Sequence, residues 1–227
     1  MVKKEMSIIP LFSNPLMEVK LDLDLEKLTE FVFQMQNKDP QGDQKSNQGG
    51  WHSNDISEEK HEEFIRLKKE ITQYIQTYQL EVFQGMKFKK NITPNLTNMW
   101  VNINEKHHYN EWHTHGFSTL SGAYYIKHDG SHENGDILFK HPSCLYMTLS
   151  HWPKDIVENY NEITSGSVNI TPIPNMLLIF PSWLEHKTQM NLKDDTRISL
   201  SFNVHPILDK KNGQRKSKTD KEETQTL

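Results

Sequence analysis

The chain of 227 residues contains one cysteine, Cys144. A single thiol forms no internal disulfide, so no cross-linked scaffold is expected, and the composition suits a reducing, cytoplasmic setting. Long apolar runs are also missing: no stretch approaches the roughly 18–20 residues that cross a bilayer. The opening "MVKKEMSIIPLF" has two lysines, but Pro10 breaks its short apolar stretch, so it does not read as a signal peptide. "NIT" at Asn91 and Asn169 and "NLT" at Asn95 match the glycosylation pattern, which is expected to go unused without a secretory signal. A strong excess of one charge is absent too. Lys and Arg number 26 against 30 Asp and Glu, so neither nucleic acid nor an anionic membrane is the expected partner. Hydrophobic residues make up only 34% of the chain, which allows one core with segments left outside it.

Periodicity divides what is present. In "LDLEKLTEFVFQMQ", Leu25, Leu28, Phe31, Val32 and Met35 follow helical spacing. Residues 37–54 are rich in Gly, Asn, Gln and Asp and read as a long loop anchored by Trp51. A second helix is expected over 55–79: Asp55 and Glu58 have capping-box spacing, and Phe64, Leu67, Ile71, Ile75 and Tyr78 form one apolar stripe. From about residue 97 the period becomes two. Met99, Val101 and Ile103 alternate with Trp100, Asn102 and Asn104. "TLSGAYYIK", "GDILFK", "SVNITPI", "NMLLIFP" and "RISLSFNVH" follow, separated by turn residues. Short strands at this spacing predict a sandwich or barrel. Residues 142–166 interrupt the pattern as a helical or irregular insert, and "DKKNGQRKSKTDKEETQTL" is expected to be a disordered, solvated tail. The expected organisation is an N-terminal helical support (1–96), a β-barrel core (97–206) and a tail (207–227).

The chemistry-bearing residues are histidines. "EWHTHGF" puts His113 and His115 two apart, a spacing that points both rings to one side at a strand end. Iron, zinc and copper all accept neutral imidazole. "LLIFPSWLEHKTQM" runs from an apolar strand into His186, which reads either as a satisfied core residue or as a third ligand. Arg197 opens the otherwise apolar strand "RISLSFN". A guanidinium buried there needs an anion, either a protein carboxylate or a ligand carboxylate held by two parallel hydrogen bonds.

These segments in this order, with "GGWHS", "WVNIN", "HTHGFSTLSGAYYI" and "GDILF", resemble the non-haem Fe(II), 2-oxoglutarate-dependent oxygenases. The likeness is to the prolyl-hydroxylase-related branch, and within it to bacterial and phage proteins with an H-x-H motif; it spans about residues 8–206. The resemblance implies a mainly β fold with N-terminal helices, a double-stranded β-helix of the jelly-roll or cupin-like kind. It implies His113, His115 and His186 as ligands of Fe(II), and Arg197 as the residue gripping the far carboxylate of 2-oxoglutarate. Ser199, Tyr125 and Ser121 would line the same cosubstrate site. Dioxygen, and ascorbate as a reductant, would complete the cofactor set. The implied reaction is a hydroxylase-type oxidation of a small-molecule or peptide substrate, releasing succinate and carbon dioxide. Oligomerisation stays open.

The wider superfamily carries H-x-D or H-x-E where this chain has His115. Glu111 is the alternative third ligand, since residues 111, 113 and 115 share one face of an extended segment. His107, His108, His128, His132, His141 and His151 fall in loops and read as surface or supporting residues, and His52, beside Trp51, as structural. Two other readings compete: a cupin-like three-histidine metalloenzyme that does not use 2-oxoglutarate, and a barrel that binds without catalysis.

Overall fold

The computed structural model describes residues 11–83, 86, 88–89, 92–143 and 156–208. Cys144, His151, residues 144–155 of the 142–166 insert and residues 209–227 of the expected 207–227 tail lie outside the described residues, while Ile207 and Leu208 end a strand.

Two antiparallel sheets face each other. The larger has the order β1-β9-β6-β11-β4-β3 and the smaller β2-β5-β10-β7-β8. In the larger are β1 (Met17–Lys20), β3 (Trp51–His52), β4 (Ile92–Asn104), β6 (Leu120–Lys127), β9 (Met176–Pro181) and β11 (Arg197–Leu208). The smaller holds β2 (Asn47–Gln48), β5 (Tyr109–His113), β7 (Ile137–Lys140), β8 (Ser167–Ile170) and β10 (His186–Thr188). The expected strands are all present, and the architecture is the double-stranded β-helix.

The larger sheet is buried on both faces. One face packs with the smaller sheet around Ala123, Tyr125, Ile137, Phe139, Leu178 and Phe180. The other is covered by helices α1 (Leu25–Lys38) and α2 (Glu62–Val82), whose buried residues Leu28, Val32, Phe64, Leu67 and Ile71 meet Tyr124, Leu177, Ile179, Leu200 and Phe202. Double burial explains the nearly continuous apolar run in β6 and β9. The tyrosine pair divides between the faces: Tyr124 joins the helix-side core and its hydroxyl donates to Asn175 Oδ1, while Tyr125 faces the smaller sheet.

The helices correct one expectation. Asp24 caps α1, its carboxylate accepting from Lys27 N at 3.2 Å. Helix α2, however, starts at Glu62 after His61, so the Asp55–Glu58 capping box does not form. The Asp55 carboxylate instead accepts from the amides of Ser57 and of Met99, each at 3.0 Å, and ties the loop to β4. A long-range strand amide has taken the acceptor that local spacing assigned to a helix end. His61 instead stacks on Phe31 of α1, with ring centroids 4.4 Å apart.

The N-terminal region is more than a helical support. Its long loop contains β2 and β3, which add one strand to each sheet, and Trp51 Nε1 donates to Asp39 O at 2.7 Å. β1 pairs with β9, and β4 begins at Ile92. In the insert, residues 156–166 form turns and irregular chain rather than a helix.

Gly122, in the central strand β6, is a point of close approach. A Cβ there would lie 2.2 Å from Phe202 Cζ and 2.5 Å from Leu178 O. Gly122→Ala is therefore expected to cost about 1–3 kcal/mol through overpacking. A lowered urea midpoint at unchanged slope would show it.

Candidate metal centre

The site is assembled by the pairing of two short strands. His113 ends β5, His186 begins β10, and the antiparallel register sets them directly opposite each other. His115 lies beyond the end of β5, where its amide donates to Ser182 O at 3.0 Å. Ser182 Oγ also donates to Ser118 O, so the turn after β9 holds the segment that carries His115.

The three imidazoles converge. One nitrogen from each lies within 4.8 Å of the others. Ring centroids are 4.4 Å apart for His113 and His186, 5.0 Å for His113 and His115, and 5.2 Å for His115 and His186. Nδ1 of His113 is 2.7 Å from Glu111 O, and Nδ1 of His186 is 2.8 Å from Leu184 O. A carbonyl only accepts, so both Nδ1 atoms carry the proton and both Nε2 atoms present a lone pair. His115 Nε2 approaches His186 Nε2 to 3.3 Å. Two nitrogens bound at 2.0–2.1 Å to one ion stand about 3 Å apart, so this spacing suits a shared metal. Burial and the neighbouring imidazoles push His115 down to about 4 and His186 to about 3. Burial also lowers His113. All three therefore stay neutral, the form that binds metal.

Glu111 does not join them. Its side chain is exposed and outside the cluster, and it contributes only its main-chain carbonyl. The strand ends at His113, so the alternation expected to align 111, 113 and 115 stops before position 115.

A cavity of about 360 Å³ opens beside the histidines. Tyr125 and Ser199 line it. Ser121 does not; its hydroxyl donates to Asn203 Oδ1 at 2.7 Å, and Asn203 reaches the wall in its place. Arg197 is two residues along β11 from Ser199, and only 2% of it is exposed. Its Nη1 donates to the carbonyls of Asn134 (3.3 Å), Gly135 (3.1 Å) and Gln189 (3.2 Å). Among the described residues no carboxylate forms an ion pair with it. Burial draws its pKa down to about 10. His128, placed in a loop by its sequence context, is buried, with Nε2 3.3 Å from Gly135 O beneath the same guanidinium.

Sequence reasoning missed His52 as a site residue. Its ring is buried on the cavity wall and stacks with Trp100 at 5.7 Å. Trp100 and Asn102 line the cavity as well. The available signal was in β4, whose alternation leaves a polar face although both faces of the sheet are covered.

Comparison with known proteins agrees with this fold. No curated protein matches the chain in sequence. Among solved structures, a prolyl-4-hydroxylase from Pseudomonas putida is similar over 86% of this chain and 94% of its own, at 11% identity and a TM-score of 0.56. HygX from Streptomyces hygroscopicus, solved with nickel and 2-oxoglutarate, matches over 85% and 83%, at 12% identity and a TM-score of 0.55. A Trichoplax adhaerens prolyl hydroxylase in complex with a hypoxia-inducible-factor peptide matches over 91% and 89%, at 15% identity and a TM-score of 0.55. At these identities the likeness is one of fold. The family described as "Putative 2OG-Fe(II) oxygenase" matches residues 98–203. That segment runs from β4 to β11, contains all three histidines and Arg197, and is similar to this oxygenase family.

Proposed function

We propose that His113, His115 and His186 hold Fe(II), and that Arg197, with Tyr125 and Ser199, receives the far carboxylate of 2-oxoglutarate. The reaction is a hydroxylase-type oxidation of a small-molecule or peptide substrate.

The observation that carries this reading is the guanidinium. Leaving a buried charge without a partner costs several kcal/mol. Three carbonyl dipoles at Nη1 offset part of that cost. The other nitrogens of Arg197 have no hydrogen-bond partner among the described residues. A planar fork with free donors fits a carboxylate, and among the described residues no protein carboxylate supplies one.

When bound, iron and the oxo acid supply oxidative decarboxylation coupled to oxidation of a substrate C–H bond. The chain's own residues orient and enclose. The Nδ1–H bonds of His113 and His186 fix ring tautomer and direction. Phe180, Ile137 and Ala123 give the cavity an apolar side that limits water. The hydroxyls of Tyr125 and Ser199, both residues of the cavity wall, would donate to an oxo-acid carboxylate. Tyr125 stays protonated, because burial raises its pKa above the usual phenol range.

One feature of the site favours a second reading. An all-histidine donor set is at home in a cupin-like metalloenzyme that does not use 2-oxoglutarate; succinate formation from the oxo acid separates the two. Among the described residues no helix is long and apolar enough to cross a membrane, and a cytoplasmic location is part of this proposal.

Two experiments test the assignments. Arg197→Ala is expected to weaken 2-oxoglutarate binding about 10–100-fold, the worth of a charge-assisted hydrogen bond, with metal affinity unchanged. Gly135→Ala is expected to act in the same direction. Gly135 has φ +98°, and a Cβ there would lie 2.3 Å from Arg197 Nη1 and 2.6 Å from Gln189 O, displacing the guanidinium. Calorimetry on the nickel-loaded protein reads both; wild-type affinity in Arg197→Ala removes the assignment. For the metal, His115→Ala is expected to lower Co(II) affinity at least about 100-fold, and Glu111→Gln to leave it unchanged. The Co(II) absorption spectrum reports the ligand set.

A further inference from the structure

We propose that the β4–β11 side of the cavity recognises an uncharged, hydroxyl-rich ring, a carbohydrate unit, through His52, Trp100, Asn102 and Asn203. The inference rests on the proposed metal and oxo-acid assignments and adds the substrate class.

The cavity is two-sided. Ala123, Ile137 and Phe180 make one side apolar, while β4, β11 and His52 make the other polar. On the polar side several groups lack partners. Asn102 is 7% exposed, and its Oδ1 is buried with no hydrogen bond, while its Nδ2 donates to Ser201 Oγ at 3.3 Å. His52 Nδ1 lies 2.7 Å from Ser53 O and must be its donor, so Nε2 keeps a lone pair with no partner among the described residues. Asn203 Oδ1 already accepts from Ser121, which leaves its amide N–H free. Buried polar groups are nearly always satisfied. An acceptor at His52 Nε2 and a donor at Asn203, with the buried unsatisfied Asn102 Oδ1 beside them, call for a ligand that both donates and accepts, and each hydroxyl does both.

Charge narrows the class. Among the described residues no carboxylate lines the cavity, so an amine would find no counter-ion there. Lys45 reaches the wall, but its Nζ pairs with Asp43 at 2.9 Å. The group at this wall is therefore uncharged. Trp100 stands between His52 and His115, 5.7 Å from each ring, and gives an aromatic surface beside the metal centre. The C–H face of a sugar ring packs against such a surface. Binding of an extended peptide by strand addition is disfavoured at this wall, since β4 is flanked at Asn102 by both β3 and β11. The cavity of about 360 Å³ must hold the oxo acid as well, which leaves room for a single ring.

The test uses full-length protein loaded with Zn(II) and 2-oxoglutarate, which does not turn over. Methyl glycosides of neutral hexoses and pentoses, glucosamine and N-acetylprolinamide are titrated separately, with binding read by saturation-transfer NMR and calorimetry. The expected result is binding of at least one neutral glycoside in preference to the amine and the peptide amide. His52→Phe and Asn102→Leu should each weaken that binding about tenfold and leave 2-oxoglutarate affinity unchanged. Asn102→Leu should change the melting temperature little, because relief of the unsatisfied carbonyl offsets loss of the 3.3 Å bond to Ser201 Oγ. Preference for glucosamine or the peptide amide, no glycoside binding, or glycoside binding indifferent to both substitutions overturns the inference. In each of those outcomes 2-oxoglutarate still binds; if it does not, the oxo-acid assignment itself has failed.

Discussion

The cavity depends on the register between β5 and β10. His113 and His186 come from segments far apart in the chain, and only the antiparallel pairing of these strands sets their rings 4.4 Å apart. A slip of one residue would turn one ring to the opposite face of the sheet and end the cluster. The strands are short, so the register is fixed from outside them. β10 also pairs with β7, where His186 lies opposite Phe139, and Phe139 packs edge-on to Phe180 at 4.9 Å. The apolar core thus holds the donor atoms in place, and the carbonyls of Glu111 and Leu184 set their tautomers.

The buried guanidinium is the second constraint, and its energetics oppose folding. Burying an arginine without an ion pair is unfavourable, and hydrogen bonds to carbonyls return only part of its lost hydration. What keeps Arg197 there is the local chain path. The 3-10 turn His132–Asn134 ends at Gly135, whose φ of +98° presents its carbonyl to Nη1 while leaving space that any side chain would fill. Stability given up at this position is what ligand binding can recover, a trade common at functional sites.

The sequence revealed those parts of the site whose signal is local. Strand alternation, the helical stripe from Phe64 to Tyr78, the H-x-H pair, His186 and the charge opening β11 each follow from period or residue chemistry within a short window. What was not legible depends on contacts across the fold. Asp55 has the spacing of a helix cap, yet a strand amide from Met99 competes for its carboxylate and wins. Glu111 has the parity of a ligand, but the strand ends before the parity can act. His52 reads from sequence as a structural residue beside Trp51, because nothing within a few residues shows that β3 will pair with β4 next to Trp100. The better signal was in β4 itself. A strand covered on both faces should be apolar on both, and Trp100 and Asn102 break that rule on the side facing the cavity.

Three imidazoles in place of two and a carboxylate also change the charge balance. A divalent ion held by neutral ligands keeps its full charge, and Arg197 adds another nearby. Among the described residues no carboxylate lines the cavity to offset them, and Lys45 is already paired. A dianionic oxo acid would cancel most of this charge, so Coulomb attraction in a poorly solvated cavity favours it strongly. The same excess would repel a cationic substrate from the polar wall, and the metal and guanidinium would draw an anionic one into the oxo-acid position. A neutral group is the one that can sit on the His52–Asn102 wall without competing for the cosubstrate's place. An all-histidine donor set at the proposed metal centre would thereby limit what the opposite side of the cavity can accept.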